Sequence, residues 1–202
     1  GTTMFRGEKN TNWEGGYRVP TVIRWPGTIK PGTIVNNVAA HEDMLTTLLA
    51  AAGDTKVKEE LLKGEKIGNR EYKVHLDGYD LGPALRGEAA WPRKEFIYWT
   101  DDGSVAALRY GDWKATFLEQ KAKGLRVWQE PFEVLRAPLL TNLRMDPFER
   151  AEEENAMGYQ RWFMEHMFMI APGIAYVANW LQSFKEFPPR QKPGSFNLEN
   201  VM

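Results

Sequence analysis

The chain has 202 residues, 43% of them hydrophobic, which suffices to bury a core as one domain or two small ones. Lysine and arginine number 26 against 27 acidic residues, so no net field favours a polyanion, and neither nucleic acid nor an anionic membrane is expected as a partner. The lack of cysteine excludes disulfides and thiolate metal sites but leaves the compartment open, because exported and cytosolic proteins can both lack it.

The first informative stretch is Phe5 to Gly27, FRGEKNTNWEGGYRVPTVIRWPG, which joins Lys9 to the Glu14-Gly15-Gly16 turn and then to an apolar run. Val19, Val22, Ile23 and Trp25, flanked by Gly15-Gly16 and Pro26-Gly27, predict a short buried strand over Tyr17 to Trp25. A loop rich in Gly, Pro, Thr and Asn follows to Asn37. Glu42 to Ala52 then places Met44, Leu45, Leu48, Leu49 and Ala52 at helical spacing, with Glu42 and Asp43 in the first turn and Gly53 as a stop. That pattern predicts an amphipathic helix packed on a sheet. Asp54 to Val74 is charged and broken by glycines, and reads as an exposed excursion with about one helical turn.

From Arg93 the pattern changes to antiparallel strands, Glu95 to Thr100, Val105 to Tyr110 and Trp113 to Leu118, joined by turns at Asp101-Asp102-Gly103 and Gly111-Asp112. Val127 to Pro138 reads as an irregular cover, and Leu139 to Leu143 as a further strand ended by Asp146-Pro147. Two aromatic-rich helical segments follow, Ala151 to Ile170 and Ile174 to Phe187, and then an extended Pro-rich tail at Pro188 to Pro193. Met167 to Phe184 contains no charged residue and reaches the lower limit of spanning length. Pro172-Gly173 and the polar Asn179, Gln182 and Ser183 predict two shorter helices there, and no membrane span. Tyr159, Trp162, Phe163, Met164, Met167 and Phe168 read as core or interface.

The Phe5 to Gly27 block resembles the second signature block of the arylsulfatase family. The likeness continues through HEDMLTTLLAAAG, DGYDLGPALRG, ALRYGDWKATF and LLTNLRMDPFER, in the order that the family uses. It implies an α/β fold: residues 1–90 as the end of an alkaline-phosphatase-like α/β domain, and 91–202 as a small antiparallel sheet packed with helices and closed by the tail. The join is expected between Gly87 and Lys94.

In that family the lysine matching Lys9 touches the sulfate group. The chemistry suits the residue, since cleavage of a sulfate monoester moves charge onto the bridging oxygen and an ammonium offers three donors and a compact charge. Taken by residue type alone, a lysine beside a Gly-Gly turn is a solvated surface lysine. Trp13 lines the mouth of a cleft and contacts an aryl leaving group, or else is a core tryptophan. Glu14 and Arg18, four apart, read first as an ion pair that fixes the turn, with substrate binding as the alternative.

Sulfatases make their nucleophile, formylglycine, from the first residue of a C/S-x-P-x-R motif, and no residue here begins one. The family's calcium or magnesium ion is held by an acidic cluster and an Asp-Asn pair that are expected upstream of Gly1. His41, His75, His166, Asp77 and Asp80 do not form a ligand set by spacing, so no metal site is expected in this chain. The resemblance thus implies the C-terminal part of an enzyme hydrolysing sulfate esters. Its partners would be that substrate and the missing N-terminal part of the same protein; a homo-oligomer is compatible with the sequence, and the isolated chain is expected to be inactive. A phosphate or phosphonate monoester hydrolase on the same scaffold is the alternative, and a non-catalytic folded module is another.

Overall fold

The computed structural model describes residues 3–190 and 192–195. The chain separates into two units, Gly1–Pro20 with Ile97–Met202, and Thr21–Phe96.

Residues 5–13 form a tight loop that ends in a single helical turn, α1 (Glu14–Tyr17). The strand predicted over Tyr17 to Trp25 is absent: the chain leaves α1 in an irregular path, and Val22 is 95% exposed. A strand exists only through the ladder it forms with a neighbour, and among the described residues no strand pairs with this stretch.

In the Thr21–Phe96 unit, α2 (Glu42–Ala51) lies where its periodicity places it, but its packing is the reverse of the expectation. Asp43, Thr46 and Thr47 are its buried residues, whereas Leu45 and Leu48 are exposed, the latter by 66%. The helix turns its polar stripe inward because the segment 77–81 supplies backbone groups that only polar side chains can satisfy. The Tyr79 and Leu81 amides donate to Asp43 Oδ1 and Thr47 Oγ1 at 2.8 and 3.0 Å, and Thr46 Oγ1 donates to the Tyr79 carbonyl at 3.0 Å. A Cβ on Gly78 would collide with the Glu42 carbonyl, so the DGYDLG motif is a close-packed structural turn. Arg93 closes the unit with a two-pronged ion pair to Asp43, Nε to Oδ2 at 2.8 Å and Nη2 to Oδ1 at 2.6 Å.

The excursion after α2 is more ordered than its composition suggests, holding a seven-residue helix, α3 (Val57–Lys63), anchored by buried Val57 and Leu61. A short antiparallel hairpin, β1 (Glu65–Ile67) with β2 (Arg70–Tyr72), follows it. One more turn of helix, α4 (Gly82–Leu85), has Pro83 where the first turn tolerates it.

The C-terminal half is built on a four-stranded antiparallel meander in the order β3 (Glu95–Trp99), β4 (Val105–Tyr110), β5 (Trp113–Glu119) and β6 (Glu133–Asn142). The first three strands fall where the alternation predicted them. β6 begins six residues earlier than expected, because it is an edge strand with an irregular register opposite Thr116 to Leu118, a place where Pro138 deprives the ladder of nothing. A 3-10 turn, Gly124–Trp128, precedes it.

Period-two alternation gives the sheet two faces. Ile97, Leu108 and Phe117 meet Val177 and Trp180 of α7 (Ile170–Trp180) in an apolar core, with Trp99 and Trp180 rings 5.5 Å apart. The other face carries Tyr98, Arg109, Lys114 and Thr116. Ahead of α7 come α5 (Ala151–Glu154), α6 (Ala156–His166) and a 3-10 turn at Met167–Met169. The helical break expected at Pro172-Gly173 lies instead at this 3-10 turn, since Pro172 falls in the first turn of α7, where its missing N–H has no intrahelical acceptor.

α8 (Ser183–Glu186) is the last helix among the described residues, and 188–190 and 192–193 have no helix or strand, with Gln191 outside the described residues. No described helix is long and apolar enough to cross a membrane.

Candidate active-site loop

The loop carrying Lys9 is shaped first by its glycines and its threonine. Gly7 has φ +83, and a Cβ on Gly15 would strike the carbonyls of Phe5, Arg6 and Gly7, so the chain passes over itself here only because that side chain is missing. The Gly15 amide donates to the Arg6 carbonyl at 2.7 Å and closes the loop. Inside it, Thr11 Oγ1 donates to the Glu8 carbonyl at 2.6 Å, and Asn10 takes the left-handed conformation at φ 66, one of the few non-glycine residues suited to it.

Alternate residues of this loop are then tied to the C-terminal half. Arg6 Nη1 donates to the Glu149 carbonyl at 2.8 Å, the Gly124 amide donates to Glu8 Oε1 at 2.6 Å, and Asn10 Nδ2 donates to the Val127 carbonyl at 2.6 Å. Asn12 accepts twice, at its side-chain oxygen from the Gln120 amide at 2.9 Å and at its carbonyl from Lys114 Nζ at 2.7 Å. Its Nδ2 is buried without a hydrogen-bond partner among the described residues.

Glu14 ends the series inside an ion network on the polar face of the sheet. The Tyr98 hydroxyl and Lys114 Nζ meet its Oε1, while Arg18 Nε and Arg109 Nη1 meet its Oε2 at 2.8 and 3.2 Å. Lys114, fully buried, also donates to Glu149 Oε1 at 2.7 Å, and Glu149 Oε2 accepts the Glu14 amide at 2.7 Å.

Burial opposes ionisation of Glu14, but Lys114, the Tyr98 hydroxyl, Arg109 and Arg18 together hold its carboxyl below the usual range. Burial pushes the Glu149 carboxyl up, against the pull of Lys114. Burial also raises the Tyr98 phenol well above its ordinary value, with the Glu14 charge adding to it.

Against this frame Lys9 stands apart. It is exposed, and among the described residues no carboxylate or carbonyl pairs with its ammonium, whose aromatic neighbour is the Trp128 ring at 5.6 Å. Trp13 is 6% exposed with the Arg6 guanidinium stacked 3.6 Å above its ring, so the structure does not bring Trp13 and Lys9 into one cleft. A cavity of about 720 Å³ opens beside the start of the loop, lined by Phe5, Arg6, Lys123, Phe148 and Arg150, and neither Lys9 nor Trp13 lines it. Glu14 and Arg18 form the turn-fixing ion pair.

Lys114, Tyr98, Arg109 and Glu149 were missed in the sequence. One signal was there: a two-residue turn at Gly111-Asp112 sets Arg109 opposite Lys114, and two cations facing each other on a strand pair require an anion between them.

Among the described residues no group of three His, Asp or Glu side chains forms a metal site. None of the three serines, Ser104, Ser183 and Ser195, begins an S-x-P-x-R motif. By themselves the described residues supply no serine of that motif and no such ligand group.

The arrangement has the fold of a sulfatase: a crystal structure of PsFucS1 sulfatase from Pseudoalteromonas sp. superposes with a TM-score of 0.69 at 24% identity, over 93% of this chain and 34% of that one. The family model described as Sulfatase matches residues 1–54, which contain the Lys9 loop. Among curated proteins, steryl-sulfatase of Mus musculus is 32% identical over 163 residues, 73% of this chain and 24% of that protein. Arylsulfatase A of Homo sapiens is 32% identical over 157 residues, 72% of this chain and 28% of that protein. The chain belongs to the sulfatase family, whose members generally use formylglycine and a divalent metal. It spans about a quarter of the length of these curated relatives.

Proposed function

We propose that the chain is the C-terminal portion of an enzyme that hydrolyses sulfate monoesters, and that Lys9 contacts the sulfate group. The observation that carries this reading is an exposed ammonium, without an ion-pair partner among the described residues, on a loop whose alternate residues are all pinned. A cation spent on an ion pair has little left for a substrate, and one on a slack loop loses the advantage of fixed placement; Lys9 escapes both. As the bond to sulfur breaks, the ammonium stabilises the charge that develops on the departing oxygen. Trp13, buried under Arg6, then supports the loop from below.

Residues 1–90 are the closing part of the catalytic domain in this reading, and 91–202 its C-terminal subdomain. The nucleophile and the calcium or magnesium ligands come, in this reading, from chain outside these residues, a reading supported by the lack of any cysteine and of any serine that begins an S-x-P-x-R motif. In the same reading that further chain covers apolar side chains of the Thr21–Phe96 unit that are exposed among the described residues, Val22, Ile34, Leu45 and Leu48. The irregular stretch 19–25, with Val22 exposed, and the helix face formed by Leu45 and Leu48 are the surfaces that the interior of a larger α/β domain would cover.

The test is Lys9→Ala in the full-length protein, assayed on an aryl sulfate and on the matching aryl phosphate. Turnover of the sulfate should fall by about 100-fold or more, the usual size for loss of one fixed charge-stabilising donor. Unchanged kinetics would remove Lys9 from the reaction, and faster turnover of the phosphate by the unmodified enzyme would shift the reading to phosphate monoesters.

A further inference from the structure

We propose that Glu149 is a positioning residue for Lys9, an inference that rests on the reading of Lys9 as the sulfate contact. Glu149 lies in the turn between β6 and α5, is 2% exposed, and has φ 53, a conformation that a glutamate adopts only when its surroundings hold it there. Three bonds do so, and two of them grip the lysine loop at opposite ends. Its carbonyl accepts Arg6 Nη1 at 2.8 Å, and its Oε2 accepts the Glu14 amide at 2.7 Å. The third, from Lys114 Nζ to Oε1 at 2.7 Å, ties the same residue to β5 of the sheet.

One residue thus fixes both borders of the span 6–14 relative to the sheet, the Arg6 end through its carbonyl and the Glu14 end through its carboxylate, while the ammonium at the centre has no hydrogen bond or ion pair of its own among the described residues. The place of that ammonium is inherited from the backbone around it. Neutralising charge does not require Glu149, because Lys114 already faces Glu14 Oε1 at 3.3 Å. What Glu14 cannot do is accept its own amide and reach back to Arg6.

Glu149→Gln tests this with little change of volume. Both carboxylate oxygens face donors, so either orientation of the amide points an NH2 group at a donor, and the grip on Glu14 or on Lys114 is lost. In the full-length protein, kcat/KM on an aryl sulfate should fall by about 100-fold, the effect expected of an ångström-scale misplacement. In a Lys9→Ala background the same change should cost less than about threefold, because Glu149 acts through Lys9.

Hydrogen exchange on the 202-residue chain supplies a readout free of catalysis: amides of residues 8–15 should exchange about tenfold faster, with those of β4 and β5 unchanged. Losses that multiply in the double variant, or exchange that rises across the sheet as well, overturn the proposal and make Glu149 a general stabiliser. Normal kinetics of Lys9→Ala alone would sink the sulfate-contact reading, while the exchange result would still decide whether Glu149 sets the loop. Glu149→Asp, which keeps the charge but shortens the reach, replaces the glutamine variant if that fails to fold.

Discussion

Asp43→Ala should be the most damaging single change to the Thr21–Phe96 unit. The carboxylate accepts from the Ala40 amide at 2.9 Å, the Tyr79 amide at 2.8 Å, and Arg93 Nε and Nη2 at 2.8 and 2.6 Å. Truncation leaves the buried Arg93 guanidinium with Glu42 Oε1 at 2.7 Å as its remaining carboxylate, and orphans two amides. Removing one partner of a buried ion pair costs about 3–5 kcal/mol, and an orphaned buried donor about 1–3 kcal/mol. The contact to Glu42 and the entry of water offset part of that sum, so a loss of about 4 kcal/mol is expected.

The two units of the chain need not unfold together, so native-state hydrogen exchange is the proper assay. At about 1.4 kcal/mol per factor of ten, amides of α2 and the Tyr79 amide should exchange nearly 1000-fold faster, while β4 and β5 stay protected. An acceleration below about tenfold would mean that the unit does not depend on its polar centre and that Asp43 does not set the inward face of α2.

Leu48→Ser together with Leu45→Ser should change stability by no more than about 0.5 kcal/mol each, far from the roughly 2–5 kcal/mol of a core leucine, and should reduce binding of a hydrophobic dye. A large loss on urea denaturation would show that these side chains are covered after all.

Alkaline titration followed at 295 nm should find Tyr17 and Tyr98 ionising last among the seven tyrosines. Burial, aided by the Asp101 charge, pushes Tyr17 from 10.0 up to about 12. The folded state then keeps a proton that the unfolded chain releases, so this contribution is whole below pH 10.0 and is lost as pH rises through about 12. Stability that stays flat across that interval would contradict the buried phenols.

Much of the chain could be read locally. The meander β3 to β5 follows from period-two alternation and two turn signals, and α2 from its spacing, its acidic first turn and Gly53, because these depend on residues a few positions apart. The lysine loop was legible as a motif, and its glycines fit because the chain crosses itself there.

Tertiary structure decided the rest. Period alone says that α2 has two faces but not which one turns inward; the backbone amides of 77–81 chose Asp43 and Thr47 over Leu45 and Leu48. The run Tyr17 to Trp25 has a strand's composition and no strand, since a ladder needs a partner that local sequence does not contain. Glu149 and Lys114 look like surface charges in their own segments. They become the grip on the Lys9 loop only because the fold brings together residues more than a hundred positions apart, where burial leaves each charge satisfied solely by the others.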